Sequence, residues 1–200
     1  SVLDILCLDL EGVLVPEVWQ AVAQSTGLES LKKTTRDIPD YDELMKYRLA
    51  ILDEHNITLP IIEAEIAKLK PLDGAVEFLA EAVKHFQIAI ISDTFYEFAG
   101  PLMEKLGYPM LLCHTLEVKE DKIVGYNIRQ PDPKRCSVKA FHDLKYRVFA
   151  AGDSFNDVSM LEEADHGFFF SAPQNVSELY PQYPLTRTYD ELLAGLLAKL

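Results

Sequence analysis

The chain has 200 residues, of which 48% are hydrophobic and 26% charged, a balance that suits one globular domain with room for a small insertion. Its formal net charge of -13 argues against nucleic acid and anionic membranes as partners, so an anionic substrate would need locally placed positive charge. No apolar run approaches the roughly 18 residues of a membrane span, and no basic segment followed by an apolar stretch opens the chain, so neither a spanning segment nor an export signal is expected.

Apolar runs at 3–10, 87–91, 109–113, 147–151 and 167–170 read as buried parallel strands. The first ends in Asp9-Leu10-Glu11-Gly12. The stretch from there to the second strand, which begins only at 87, is too long for a simple crossover. It holds helical patterns over 17–26, stopped at Gly27, over 40–55, with Asp40 as N-cap and Glu43 placed for a capping box, and over 59–69, ended by Pro71. Residues 14–70 are therefore expected to form a helical cap over the strand ends, with 1–13 and 71–200 as the α/β core. Asp73 to His85 reads as the crossover helix, with Val76, Leu79, Ala80 and Val83 at helical spacing. Extended stretches flanking Glu120-Asp121-Lys122 predict a β-hairpin over 115–128. Shorter helices are expected at 137–144 and 157–164, and a final one at 189–200. Strands alternating with helices predict a doubly wound, Rossmann-like α/β sheet. Cys7, Cys113 and Cys136 have no metal-type spacing and read as reduced core or near-core thiols of a cytoplasmic protein.

Two strands end in acid: the first in Asp9, the fourth in Gly152-Asp153-Ser154-Phe155-Asn156-Asp157. A buried carboxylate is costly unless a cation or donors meet it. Ligands of open α/β sheets bind outside the carboxyl ends of the strands. The two acidic ends together predict one divalent-metal site, with Asp9 exposed as a nucleophile. In the second cap helix, Tyr41, Met45, Arg48 and Leu52 share one face. Arg48 on an apolar stripe is either a snorkelling side chain or an anion-binding group aimed into a closed pocket.

Four signals thus run in order: Asp9 and Glu11, then Ser92 in Ile90-Ile91-Ser92-Asp93-Thr94, then Lys134 at a helix start, then Asp153 and Asp157. In this order the chain resembles the haloacid dehalogenase-like phosphohydrolases over nearly its whole length, and within them the phosphoserine phosphatases with a small helical cap. The Asp-Leu-Glu-Gly-Val start and the Ser-Asp-Thr-Phe-Tyr-Glu-Phe segment are similar to the subgroup described as bifunctional phosphoserine phosphatase and homoserine phosphotransferase. It departs from ordinary phosphoserine phosphatases where Glu11 replaces an aspartate and Asp93-Thr94 replace glycines.

The resemblance implies a phosphatase acting on phosphoserine, and a transferase using homoserine as acceptor, with Mg²⁺ as cofactor. Asp9 would be the nucleophile and Glu11 the acid and base. Mg²⁺ would be held by Asp9, the Glu11 backbone carbonyl and Asp153, with Asp157 ligating or orienting. Ser92 and Lys134 would bind the phosphoryl group, with Asn156 adding a polar contact and Asp93 altering what the pocket accepts. Glu17, Tyr41 and Arg48 fall where the family has substrate-binding groups, Arg48 for the carboxylate and Glu17 for the ammonium. Lys139 is a rival for the role of Lys134 but falls deeper in its helix. Trp19 reads as cap packing, and the five histidines as structural or exposed. A phosphatase of another small phosphomonoester is the alternative. A receiver-like phosphoacceptor domain is the non-enzyme reading, disfavoured because the acid follows the first strand. A second copy of the chain remains open as a partner.

Overall fold

The computed structural model describes residues 3–200, so the first two residues of the expected core segment lie outside it. In chain order the strands are β1 (Leu3–Leu8), β2 (Gln87–Phe95), β3 (Met110–Lys119), β4 (Lys122–Asn127), β5 (Tyr146–Gly152), β6 (His166–Phe170) and β7 (Leu185–Thr186). The helices are α1 (Val18–Thr26), α2 (Tyr41–Glu54), α3 (Leu59–Ala67), α4 (Ala75–Ala82), α5 (Tyr96–Lys105), α6 (Pro133–Asp143), α7 (Val158–Glu163), α8 (Gln174–Ser177) and α9 (Tyr189–Leu197).

The strands form one sheet in the order β4-β3-β2-β1-β5-β6-β7. All neighbours pair in parallel except β3 with β4. Alternate residues of the central strands feed two apolar layers, Leu6, Leu8 and Ile90 on one face and Ile5, Cys7, Ala89 and Ile91 on the other. Strands buried on both faces have no polar side, which is why they read as unbroken apolar runs. The chain leaves β1 toward β2 on one side and reaches β5 on the other. That reversal opens a crevice at the carboxyl end of β1, where Asp9 stands.

The segment between β1 and α4 folds as α1, a 3₁₀ turn at Glu29–Lys32, α2 and α3. Gly27 ends α1 in the left-handed region at φ 74°. Asp40 caps α2 by accepting from Asp42 N at 2.9 Å. The expected capping box is not formed, since Glu43 returns no bond to Asp40 among the described residues. Leu31, Met45, Leu52, Ile62 and Ile66 of this segment share one apolar cluster with Leu8, Phe95 and Ile123 of the sheet.

Several expectations are corrected. The second strand does not stop at 91: β2 continues to Phe95 through a register shift between Ile91 and Phe95. The hairpin extends the sheet as expected, but its first strand does not begin afresh at 115: β3 runs from parallel pairing with β2 straight into antiparallel pairing with β4. In α4 the buried face is Ala75, Phe78, Leu79 and Ala82, while Val76 and Val83 are exposed. Helix α6 starts four residues earlier than expected, at Pro133, where the fixed φ of proline suits a first turn. Helices α5 and α8 and strand β7 have no counterpart among the expected elements.

Candidate active site

Asp9 follows β1 and is 6% exposed, with its Oδ1 accepting from Leu10 N at 2.8 Å. Lys134, 2% exposed on the first turn of α6, points its Nζ at Asp9 Oδ1 from 3.2 Å and also pairs with Asp157 Oδ1. Lys139 is exposed, so Lys134 is the lysine of the site. Burial alone would lower the Lys134 ammonium, but Asp157, Asp9 and Asp93 outweigh it and hold it charged.

Asp153 and Asp157 come from the turn after β5. Asp157 is fully buried, and its Oδ2 accepts from Asp153 N at 2.8 Å and Ser154 N at 3.1 Å. Both of its oxygens therefore have protein donors, and Asp157 braces Lys134 and the turn that presents Asp153. Gly12 and Gly152 make room for this. Gly12 sits at φ 84°, and a Cβ built there would overlap Asp153 Oδ2; one on Gly152 would overlap the Asp157 side chain.

Asp9, Asp153 and Asp157 offer carboxylate oxygens that all lie within 4.8 Å of one another. Burial and the neighbouring Asp157 charge push Asp9 well up, and the same causes push Asp153 to about 7. Among the described residues Lys134 is the one lysine paired with these acids, so positive charge there is short of negative. An all-oxygen, acid-rich donor set of this kind fits a hard divalent cation.

Ser92 and Asp93 lie in the displaced part of β2. Ser92 is buried and its Oγ accepts from Thr94 N at 3.1 Å; it caps no helix. Asp93 Oδ1 faces His114 Nε2 at 3.2 Å, and Oδ2 accepts from Asn156 Nδ2 at 3.0 Å. Burial would raise the Asp93 carboxyl, but the His114 bond, the Lys134 charge and the Asn156 amide outweigh it and hold it at about 2.

Glu11 faces the helices above the sheet. Burial and the carboxylate of Glu17 push it to about 8, against the Val18 N–H and the Arg48 charge. Glu17 itself is exposed at the start of α1. Arg48 is 7% exposed. Its guanidinium lies 4.7 Å from the centre of the Trp19 ring, and Nη2 donates to Lys33 O at 3.1 Å. Arg48 Nε is the one buried side-chain polar atom without a hydrogen-bond partner among the described residues. Trp19 packs edge-on against Phe98, so it serves packing and supports Arg48 as well. Tyr41 donates from its hydroxyl to Asp93 O at 3.0 Å, tying α2 to β2.

The structure thus brings Asp9, Ser92, Asp93, Lys134, Asp153, Asn156 and Asp157 together at the strand ends. Glu11, Glu17 and Arg48 form a second group above them, and Tyr41 bridges the two. Sequence reasoning misses two members. His114 reads from sequence as one more structural or exposed histidine, yet it is buried against Asp93. Tyr126 of β4 bonds Asp42 and packs edge-on to Tyr41 with centroids 5.8 Å apart. The signal for His114 is its place directly after the apolar run Met110-Leu111-Leu112-Cys113, a titratable group at the end of that run.

A family model described as haloacid dehalogenase-like hydrolase matches residues 17–162. A protein of Pseudomonas aeruginosa named phosphoserine phosphatase ThrH is 60% identical over 191 residues, covering 95% of this chain and 93% of the relative. A phosphoserine phosphatase of Pseudomonas syringae pv. tomato is 60% identical over 94% of this chain and 80% of its own length. Among solved structures, a substrate-bound phosphoserine phosphatase complex superposes with a TM-score of 0.81 at 20% identity, covering 100% of this chain and 99% of the other. A phospho-aspartyl intermediate analogue of phosphoserine phosphatase gives 0.80 at 21% identity, over 97% of this chain and 99% of the other. At these identities the structural matches establish the fold.

Proposed function

Because the chain belongs to the haloacid dehalogenase-like hydrolase family, we propose that it is a Mg²⁺-dependent phosphoserine phosphatase, and that it also passes the phosphoryl group from phosphoserine to homoserine. The observation that carries the substrate reading is Arg48. A buried guanidinium whose Nε has no protein acceptor, with the Glu17 carboxylate nearby, suits a ligand bearing both a carboxylate and an ammonium. The names of the 60%-identical relatives support the same substrate. The three free thiols suit a reducing cytoplasmic compartment, and no helix among the described residues is long and apolar enough to cross a membrane.

Asp9, Asp153 and the Glu11 carbonyl would hold the Mg²⁺, with Asp157 behind them. When bound, the cation screens the negative charge of nucleophile and phosphoryl group from each other. Lys134, whose Nζ lies 3.2 Å from Asp9 Oδ1, adds positive charge at the same carboxylate. A carboxylate oxygen of Asp9 attacks phosphorus and the bond to the seryl oxygen breaks, leaving an aspartyl phosphate. Glu11, held protonated near neutral pH by burial and Glu17, gives its proton to the departing seryl oxygen. Now a carboxylate, Glu11 takes a proton from water. The water oxygen bonds to phosphorus, the bond to Asp9 breaks, and phosphate leaves. Homoserine carries the same carboxylate and ammonium as serine, so its hydroxyl can stand where the water stands and be deprotonated by the same Glu11.

The test is a panel of small phosphomonoesters, with and without Mg²⁺, repeated with excess homoserine and read by mass spectrometry. The reading requires Mg²⁺-dependent preference for phosphoserine and appearance of phosphohomoserine. Full turnover in excess chelator refutes the metal, a preference for sugar phosphates refutes the substrate, and serine plus inorganic phosphate as sole products refutes the transfer.

A further inference from the structure

We propose that His114 is a positioning residue: it fixes the Asp93 carboxylate and, through it, the Ser92 and Asn156 edges of the phosphoryl pocket. The proposal rests on the phosphatase reading for its kinetic arm only.

His114 occupies the join in β3. It is the last residue paired with β2, opposite Phe95, and the next residue, Thr115, is the first paired with β4. Opposite it, the register of β2 shifts between Ile91 and Phe95, which displaces Ser92, Asp93 and Thr94 from the ladder. A displaced segment has lost ladder bonds that would otherwise fix it. The imidazole, 2% exposed, supplies a replacement by reaching Asp93 Oδ1 at 3.2 Å.

Its tautomer is set by its other nitrogen. Arg129 N lies 2.9 Å from His114 Nδ1, and a backbone N–H can only donate. Nδ1 is therefore the acceptor, so the ring proton sits on Nε2 and points at Asp93. Arg129 is itself pinned. Its Nε donates to Cys113 O at 3.1 Å, and its Nη2 donates to Tyr96 Oη at 2.6 Å, which in turn donates to Leu111 O at 2.6 Å. A chain of fixed donors thus ends on one carboxylate oxygen. The other oxygen takes Asn156 Nδ2 at 3.0 Å, and the Asp93 carbonyl takes Tyr41 Oη at 3.0 Å. One residue of β2 is thereby the meeting point of β3, the turn after β5 and helix α2.

If the imidazole acts through Asp93, its loss matters only while Asp93 is present. His114→Asn keeps an amide near the position of Nδ1 but cannot reach Asp93. It should lower kcat about tenfold or more, the scale of a misplaced pocket edge. In an Asp93→Ala background the same substitution should cost less than about twofold, a non-additivity that a general packing role does not produce. His114→Gln places an amide N–H near Nε2 and should recover most of the loss. The loss should be equal on phosphoserine and on an aryl phosphate, since Asp93 serves the phosphoryl end. Nitrogen-15 NMR of histidine-labelled protein should give the pattern of a neutral ring protonated at Nε2. Additive losses, no recovery by glutamine, or an Nδ1-protonated ring each overturn the proposal. If the protein hydrolyses some other phosphomonoester, the phosphoserine reading fails, while the cycle on that substrate and the NMR pattern still decide for or against His114.

Discussion

Replacing Arg48 with alanine separates substrate reading from structural support, and both magnitudes can be worked from its surroundings. The guanidinium stacks 4.7 Å from the Trp19 ring and donates to Lys33 O. A partly desolvated cation–π contact is worth about 1–2 kcal/mol, and a hydrogen bond from a charged donor about 1.5 kcal/mol or more. Part of this is offset, because burial disfavours the cation and its removal ends that cost. A loss of roughly 1–3 kcal/mol in unfolding free energy is expected. Against phosphoserine the loss is larger. A buried charge pair truncated on one side costs about 2–5 kcal/mol, or from ~30-fold to a few thousand-fold in kcat/KM. An aryl phosphate has no carboxylate to lose, so its kcat/KM should change by less than about threefold. Steady-state kinetics on both substrates, with urea unfolding as the control, give the answer. Equal losses on the two substrates would mean that Arg48 holds α2 in place and does not bind the substrate.

Asp9→Asn keeps the shape and removes the nucleophile, so turnover should fall by several orders of magnitude with circular dichroism unchanged; activity within about tenfold of wild type would exclude Asp9 as nucleophile. Gly12→Ala forces a Cβ onto Asp153 at a φ of 84°, so affinity for the divalent ion should drop, read by metal titration of activity; an unchanged titration would mean that Asp153 is not a ligand. The Asp93 carboxyl lies below its ordinary value at about 2, so its contribution to stability is full above pH ~4 and is lost as the pH falls through about 2. That contribution is about 2 kcal/mol. Urea unfolding of Asp93→Asn should therefore converge with wild type toward pH 2, and parallel curves from pH 6 to pH 2 would refute the assignment.

The strands that carry the acids are legible because parallel strands buried on both faces leave an apolar run ending where the carboxylate begins. Arg48 is legible because a charge on an apolar helical stripe is out of place. Other features are hidden for physical reasons. Ser92-Asp93-Thr94 breaks the apolar run, so β2 reads as ending at 91, yet the strand continues because His114 and Asn156 satisfy its polar side chain from elsewhere in the chain. Helix α5 contains Gly100-Pro101, a pair that locally reads as a breaker. In α4, Val76 and Val83 have the right spacing, but Phe78 and Ala82 take the core side. Local pattern cannot rank two apolar faces of one short helix. Tertiary partners also decide what Asp157 does, since its sequence position is equally compatible with a direct ligand and with a brace for Lys134.

The place of β1 in the middle of the sheet has a consequence for how the protein is made. Its two neighbours are β2 and β5, and Arg147 of β5 clamps Asp4 of β1 at 2.6 Å across 143 residues of chain. Closing a loop of that length costs about 4 kcal/mol of chain entropy before any contact repays it. At ordinary rates of synthesis, roughly 7 to 30 s separate the emergence of the two strands. Through that interval Ile5, Leu6, Cys7 and Leu8, all buried in the finished protein, have an unpaired edge. Asp9, at the end of β1, is therefore made well before Asp153 and Asp157, which arrive only after β5. A nascent chain stopped short of Tyr146 therefore holds Asp9 and Lys134 without the two acids of the β5 turn that stand beside them in the folded chain.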